Sequence, residues 1–270
     1  LTVIMQSSGL MDMMMWDTNS SLSKTFLAST VEAGTQDDWV ILEAAWSPYY
    51  LADDLTISET ATLTLHDNAQ LVIANDVAIT LEGTITAGAG TIQSSGASPW
   101  SGITMEGVQA KLNLASTHLV GALLPVVVNG GVIVSEGAEI ASGTDGLISA
   151  TYSDSAISIT LIDTDLRYGG QNCIRVAGTG VELNIQDTTL EECGDHALWA
   201  TLSVLDIDGL VIAGGSDSGI SLADVEGIVT GVDAGSHNGS NSSIRLSEQD
   251  GNLVLRNLIL APGSSEAAFY

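Results

Sequence analysis

The amino-acid sequence predicts an all-β solenoid, a parallel β-helix with three short strands in each coil. Short runs of Val, Ile, Leu and Thr alternate with polar residues along the chain, whereas helical periodicity is almost absent. The hydrophobic positions of these runs recur about every 24 residues. Three such series share this period, so each series is expected to form one face of a coil that stacks on its neighbours.

The first series predicts about nine coils. An isolated coil cannot bury its aliphatic side chains, so each face must pack on the same face of the next coil, with backbone hydrogen bonds running between coils. A β-sandwich would need hairpin turns and would not keep a three-face register over so long a stretch. The members of the first series are Leu55, Ile79, Ile103, Val126, Ile148, Ile174, Leu198, Ile220 and Ile244.

The second and third series predict the other two faces. The long interval between the first two members of the second series is expected to hold one weakly patterned coil around Ala87. The second series comprises Leu63, Leu112, Ile133, Ile159, Leu183, Leu205, Ile228 and Leu253. The third comprises Leu71, Leu119, Ile140, Leu166, Leu190, Ile212, Val232 and Leu260.

A small residue recurs three positions after most members of the third series. Glycine at a corner suits a backbone that turns through positive φ before the next strand, so a sharp turn is predicted there. These positions are Ala122, Gly143, Gly169, Cys193, Gly215, Gly235 and Gly263. The two cysteines fall at different places in the repeat, Cys173 at an inward position and Cys193 at the corner. We therefore expect both of them to be free thiols.

Several segments resemble one family. They are SPYYL (Ser47–Leu51), LTISETATLTL (Leu55–Leu65), LEGTITA (Leu81–Ala87) and WSGI (Trp100–Ile103). Their order is similar to that in right-handed parallel β-helix domains of secreted and cell-surface proteins, the pectate-lyase-like superfamily with W-x-G-I repeats. The resemblance implies a right-handed solenoid. It does not imply one activity, because that superfamily includes polysaccharide lyases, hydrolases, adhesins and passive stalks.

The three hydrophobic series divide the chain into two parts. Residues 1–45 lie outside the series and are expected to be an N-terminal cap or the tail of a preceding domain. Residues 46–270 are expected to form the β-helix and to continue beyond Tyr270 as part of a larger protein. The apolar ends of a solenoid need covering, so adjacent domains or further copies are expected partners.

Charge excludes several classes of partner. The chain has 33 acidic and 6 basic residues, and its net charge is −27. So few basic residues cannot neutralise a nucleic-acid backbone or an anionic membrane surface. An acidic, lysine-poor surface keeps a protein soluble in salty water, so we expect an extracellular or cell-surface setting that is halophilic or marine. No apolar run is long enough to form a transmembrane segment.

Stacked corners bring equivalent carboxylates to about one strand spacing. Asp195 and Asp217 are equivalent at one corner, and Asp163 and Asp187 at another. Such pairs can splay into water, bridge a Ca²⁺ ion or perform glycosidase-type acid–base chemistry. The four aspartates are therefore candidate Ca²⁺ ligands.

The outward column of the first face suggests a glycan-binding surface. Arg175 and Trp199 are expected to be neighbours on adjacent coils, beside the corner that carries Asp195 and His196. An indole can stack on a sugar ring, and arginine and carboxylates can bond hydroxyl groups. The alternative is a cation–π contact that only shields the sheet.

No signature of an activated nucleophile is present, and His66 and His118 are expected to be structural. We therefore expect no catalytic residues and a non-enzymatic, adhesin-like or structural segment of a larger extracellular protein, with glycans as expected partners. The alternative is a polysaccharide-active lyase or glycoside hydrolase of the same fold.

Overall fold

A computed structural model describes Val31 and residues 33–151, 156–215, 217–239, 243–247 and 250–261, together with the backbone of three earlier strands. The chain forms a parallel β-solenoid of about nine turns, spaced by about 23 residues, as the sequence predicts. The only helix among the described residues is the 3-10 turn Ala44–Trp46.

One sheet forms the face that we call face 1. It contains ten described strands, and each pairs in parallel with the strand one turn away. Its strands are Gly34–Gln36, Leu55–Ile57, Ala78–Leu81, Gly102–Met105, Val126–Val128, Gly146–Thr151, Asn172–Ala177, Leu198–Thr201, Ile220–Ala223 and Ile244–Ser247.

The second sheet wraps around the other two faces because two long strands, Val181–Glu191 and Val204–Ala213, bend from one face to the other. Face 2 also contains Trp39–Leu42, Thr62–Leu65, Thr84–Ala87, Lys111–Ala115, Gly131–Glu136, Ile157–Ile162, Glu226–Thr230 and Leu253–Arg256. Face 3 also contains Tyr49–Leu51, Gln70–Ile73, Thr91–Ser94, His118–Val120, Glu139–Ala141, Asp165–Arg167, Asp233–Ser236 and Ile259–Leu260.

The strands before residue 46 connect with the solenoid. Gly34–Gln36 and Trp39–Leu42 pair in parallel with the next turn on faces 1 and 2. The strand Ser23–Phe26 pairs in parallel with Trp39–Leu42 and antiparallel with Met11–Trp16, which pairs antiparallel with Thr2–Ser7. The parallel pairing between turns therefore extends toward the N-terminus beyond the first members of the three hydrophobic series.

Face 1 follows the predicted first series throughout. Every member pairs with the next, from Leu55 opposite Ile79 to Ile220 opposite Ile244. All of these side chains are buried in one hydrophobic core. In that ladder each aliphatic group packs on an equivalent group one turn away, which is how a solenoid removes its apolar surface from water.

The second series is correct except at Ile228. Ile85 occupies the weakly patterned coil, between Leu63 and Leu112. Gly227 rather than Ile228 lies opposite Leu205, where a β-carbon would come 1.9 Å from the Leu205 carbonyl oxygen. Because strand side chains alternate, Ile228 then points outward and is 45% exposed.

The third series needs similar changes. Ile92 fills the missing turn between Leu71 and Leu119. Near the end, Asp233 lies opposite Val211, and Ala234 rather than Val232 lies opposite Leu260. Hydrophobic spacing could not choose between the two positions, because Val232 and Ala234 are both apolar and both buried.

The corner between faces 3 and 1 turns one residue earlier than predicted. Of the predicted small positions, Gly215 has positive φ, and Gly263 lies outside the described residues. Gly143 is required for a different reason, because the backbone passes too close to it for a side chain. A β-carbon there would lie 1.8 Å from the Gly146 carbonyl oxygen. The left-handed residues of this corner are Gly121, Ser142, Tyr168, Glu192 and Gly214.

The WSGI segment has a clear physical role. Trp100 is fully buried, and its indole nitrogen donates a hydrogen bond to the Val120 carbonyl oxygen at 3.2 Å. Gly102 has φ of +112°, and a β-carbon there would lie 2.0 Å from the Leu124 carbonyl oxygen. The tryptophan therefore fills the core at a corner, while the glycine lets the next turn approach.

The cysteines form a disulfide, so the prediction of free thiols was wrong. Cys173 and Cys193 lie on adjacent turns with their Cα atoms 5.4 Å apart. Both side chains are buried, 0% and 2% exposed. The positions differ in the repeat, but the bend at the corner brings Cys193 across the start of the strand that carries Cys173. Equivalent positions in the repeat predict which residues stack on adjacent turns, but they do not predict which residues meet where the chain bends at a corner.

We predict that Ile220→Ala lowers the free energy of unfolding by about 2–5 kcal/mol, because it leaves a cavity in the face 1 ladder. The matched control is Ile228→Ala, the same change at an outward position, with a loss below about 1 kcal/mol. Urea unfolding followed by circular dichroism measures both. Equal losses would contradict the outward placement of Ile228.

We predict that replacing both Cys173 and Cys193 by alanine destabilises the chain by about 3 kcal/mol, the chain-entropy value for a cross-link of this span. The residues are separated by 20 positions. Urea unfolding of the oxidised chain, the reduced chain and the double variant measures the effect. The last two should agree, and a midpoint that is indifferent to reductant would argue against the bond.

Candidate functional site

Two of the predicted aspartates and a histidine meet at one corner of the solenoid. We call Asp195, His196 and Asp217 the acidic corner; they lie where adjacent turns pass from face 3 to face 1. The backbone there is held between turns. Asp195 N–H donates to the Gln171 carbonyl oxygen at 2.9 Å, and the His196 carbonyl oxygen accepts from Cys173 N–H at 3.1 Å.

The His196 imidazole lies between the two carboxylates. Its Nδ1 is 3.0 Å from Asp195 Oδ1, and its Nε2 is 3.9 Å from Asp217 Oδ2. The His196 side chain is only 13% exposed, whereas those of Asp195 and Asp217 are 49% and 28% exposed. The corner is therefore a mostly covered imidazole flanked by two carboxylates that reach solvent.

These three side chains have the composition and spacing of a metal-binding group. One potential ligand atom from each lies within 4.8 Å of the others. Among the described residues, no other set of three or more His, Cys, Asp or Glu side chains meets this condition. The repeat predicted that Asp195 and Asp217 lie at equivalent positions of one corner, and it predicted His196 beside them.

Polar atoms at this corner are buried without a hydrogen-bond partner. They belong to equivalent positions on three successive turns, and they are Asn172 Oδ1, His196 Nδ1 and Ser218 Oγ. Ser218 is 1% exposed. A buried polar atom without a partner costs about 1–3 kcal/mol, so three at one corner are unusual for a purely structural turn.

The corner is held from both neighbouring turns. On one side, the Cys173–Cys193 disulfide ties the segment before Asp195 to the preceding turn. On the other side, the buried His237 lies with its ring nitrogens 2.9 Å from the Gly214 carbonyl oxygen and 3.0 Å from that of Asp217. Each contact is a hydrogen bond when the nitrogen carries the proton, because a carbonyl oxygen only accepts.

Sequence reasoning missed His237 as part of this corner. It follows the strand Asp233–Ser236, at the start of the polar insertion 236–243, where the 24-residue spacing no longer applies. The next residues also pack closely, since a β-carbon on Gly239 would lie 1.9 Å from the Asp217 carbonyl oxygen. A histidine inside an insertion was the only available signal.

Arg175 and Trp199 are neighbours on face 1, as their positions in the repeat imply. The Arg175 guanidinium carbon lies 5.1 Å from the centroid of the Trp199 ring, within the range of a cation–π contact. Ser221 lies next in this column and is 8% exposed. A sugar ring would have to use the remaining indole surface or displace the guanidinium.

Asp163 and Asp187 lie at the corner between faces 2 and 3. Both have φ of +47°, and the strand pairing places them on adjacent turns. Asp187 Oδ2 accepts a hydrogen bond from Gln186 Nε2 at 3.4 Å. Among the described residues, these aspartates do not belong to a three-ligand group. Their role as Ca²⁺ ligands stays a prediction.

The other described histidines pair across adjacent turns. His66 Nδ1 lies 3.2 Å from Glu43 Oε2, and His118 Nδ1 lies 2.7 Å from Glu139 Oε2. The two imidazoles are 47% and 58% exposed. Exposed imidazole–carboxylate contacts of this kind contribute little to stability, about 0–1 kcal/mol even when the imidazole carries a proton.

A scan against protein-family models and a search of curated proteins both find no match to this chain. In the part of the chain that the structure describes, no helix is long and apolar enough to cross a membrane. The chain is therefore characterised by its fold, a parallel β-solenoid with an acidic corner.

Proposed function

We propose that this chain is a rigid, non-enzymatic segment of an extracellular or cell-surface protein, acting as a stalk or adhesin-like module. The observation that carries the proposal is the ladder of face 1, which continues through ten strands without a break in pairing. Because each turn is held by backbone hydrogen bonds and by buried aliphatic contacts with both neighbours, bending the stack would break both together.

Two further observations support an extracellular setting. Disulfides persist in oxidising environments, and both cysteines of this chain are paired and buried. The net charge of −27 maintains solubility in ion-rich water. Many carboxylates lie at corners and outward positions, Asp163 and Asp195 among them, where water and counterions solvate them.

Glycan adhesion is a second candidate, favoured by the Arg175–Trp199 pair. The pair lies on the outward side of face 1, and its next neighbours at the corner offer carboxylate and imidazole groups. An indole supplies apolar area at low entropic cost, and the surrounding polar groups can bond hydroxyls.

The enzymatic alternative depends on Asp195 and Asp217. One carboxylate oxygen of each lies within 4.8 Å of one of the other. This is shorter than the about 6.5–9.5 Å between the carboxyl groups of inverting glycosidases and slightly below the about 5–5.5 Å of retaining ones. The two hypotheses differ in an observable product. Release of new reducing ends from a polysaccharide by the wild type, and its loss in Asp217→Asn, would replace the structural proposal.

We predict that nitroxide labels at positions 56 and 245 are separated by about 38 Å, the length of eight strand spacings, with a narrow distribution. Both residues belong to the outward column of face 1, with Thr56 opposite Thr80 and Ser221 opposite Arg245. Pulsed electron–electron resonance measures the distance. Labels at 56 and 175, five spacings apart, should give about 24 Å. A broad distribution, or distances that do not scale with the number of turns, would contradict a rigid rod.

We predict that Trp199→Ala weakens retention on a glycan affinity gel by about tenfold, the upper range for loss of one aromatic contact. The matched control is Trp39→Ala, which removes a more exposed tryptophan at a distant turn of face 2. It should leave retention unchanged. If the wild type itself is not retained by any glycan tested, the adhesive part of the proposal is wrong and the structural part stands.

A further inference from the structure

We propose that Asp195, His196 and Asp217 bind one divalent transition-metal ion of the Zn²⁺ class. The proposal rests on three side chains of two adjacent turns, whose ligand atoms lie within 4.8 Å of one another. Zinc takes nitrogen and oxygen ligands at about 2.0–2.2 Å, which places neighbouring ligand atoms about 3–3.5 Å apart. The His196 nitrogens already lie 3.0 Å and 3.9 Å from oxygens of Asp195 and Asp217, close to that spacing.

The imidazole decides which metal fits. Calcium and magnesium take oxygen ligands almost exclusively, whereas imidazole with carboxylates suits zinc and its neighbours. His196 occupies the place between Asp195 and Asp217, with its nitrogens 3.0 Å and 3.9 Å from their carboxylate oxygens. The sequence suggested Ca²⁺ from the aspartates alone. The position of His196 changes the expected ion.

A second observation points to a ligand at this corner. His196 Nδ1 is buried and lies 3.0 Å from Asp195 Oδ1, but not in alignment for a hydrogen bond. A cation shared with that carboxylate would satisfy the nitrogen lone pair. Ser218, which follows Asp217, is also buried and has an unpartnered hydroxyl. Native proteins seldom leave such atoms unpaired at one place.

The surroundings hold the ligands in place before any metal arrives. The disulfide fixes the chain two residues before Asp195, and His237 contacts the carbonyl oxygens of Gly214 and Asp217. Groups that orient metal ligands in this way raise affinity, because less motion has to be frozen on binding. The strongly negative chain also raises the local concentration of cations.

The geometry leaves part of the coordination sphere open. The chain supplies three ligands, and the Asp195 side chain is 49% exposed to solvent. A four-coordinate zinc ion bound here would complete its shell with water or with an oxygen of a second molecule. The site therefore suits a metal-dependent contact on the surface of the rod. This inference is independent of the stalk proposal, since a rigid rod can exist with or without the ion.

The test is a calorimetric titration of the oxidised full chain with Zn²⁺. We expect one ion per chain. His196→Gln should weaken binding by at least 10- to 100-fold, the loss seen even for residues that only orient a metal ligand. The matched control is His118→Gln. His118 also contacts a carboxylate, at 2.7 Å, but lies outside the three-ligand group of the described residues. The His118→Gln variant should bind Zn²⁺ as tightly as the wild type does.

A second variant and a second metal make the result decisive. Asp217→Asn changes a more exposed side chain than His196 and keeps its volume, so it tests ligation if His196→Gln does not fold. Co²⁺ bound to the wild type should give visible absorption bands, and these should weaken in the Asp217→Asn variant, because it keeps the imidazole but loses one of the three ligands. Absence of Zn²⁺ binding would overturn the proposal. So would tighter binding of Ca²⁺ that is indifferent to His196→Gln.

Discussion

The register of hydrogen bonds between turns is the constraint on which the rest of this molecule depends. Each strand must return to the same place above the previous one, because both its backbone groups and its inward side chains are satisfied only there. Face 1 keeps this register from Leu55 to Ile244 although the number of residues in a turn varies. The corners absorb the variation. They are therefore the places where the chain can carry polar chemistry without loss of the core.

The same constraint explains how much of the fold the sequence could predict. The ladder of face 1 could be predicted from Leu55 to Ile244, since each of those turns carries an aliphatic residue at the equivalent position. The strand Gly34–Gln36 could not, because Gly34 lies opposite Leu55. Prediction failed where a position did not follow that rule. At Gly227 close approach of the backbone excludes any side chain, so the nearest isoleucine in the sequence, Ile228, was assigned to the core although it faces water.

Corner chemistry was predictable only in part. Asp195 and Asp217 could be paired because equivalent positions stack. The disulfide could not, because it joins positions that differ in the repeat and meet across a bend. The contacts of His237 with the carbonyl oxygens of Gly214 and Asp217 could not be predicted either, because His237 belongs to an insertion and has no equivalent position in the repeat. Spacing thus predicts contacts along the solenoid axis and fails for contacts that cross it.

The disulfide has a mechanical consequence. When a solenoid is pulled by its two ends, its turns peel away and each released residue adds about 3.4 Å of contour length. Residues between Cys173 and Cys193 are excluded from this extension, because the cross-link carries the tension past them. Close to one whole turn therefore does not contribute to the extension, and the acidic corner follows that segment. Oxidation therefore sets how far the chain can extend under load, and reduction would release roughly 65 Å of additional length.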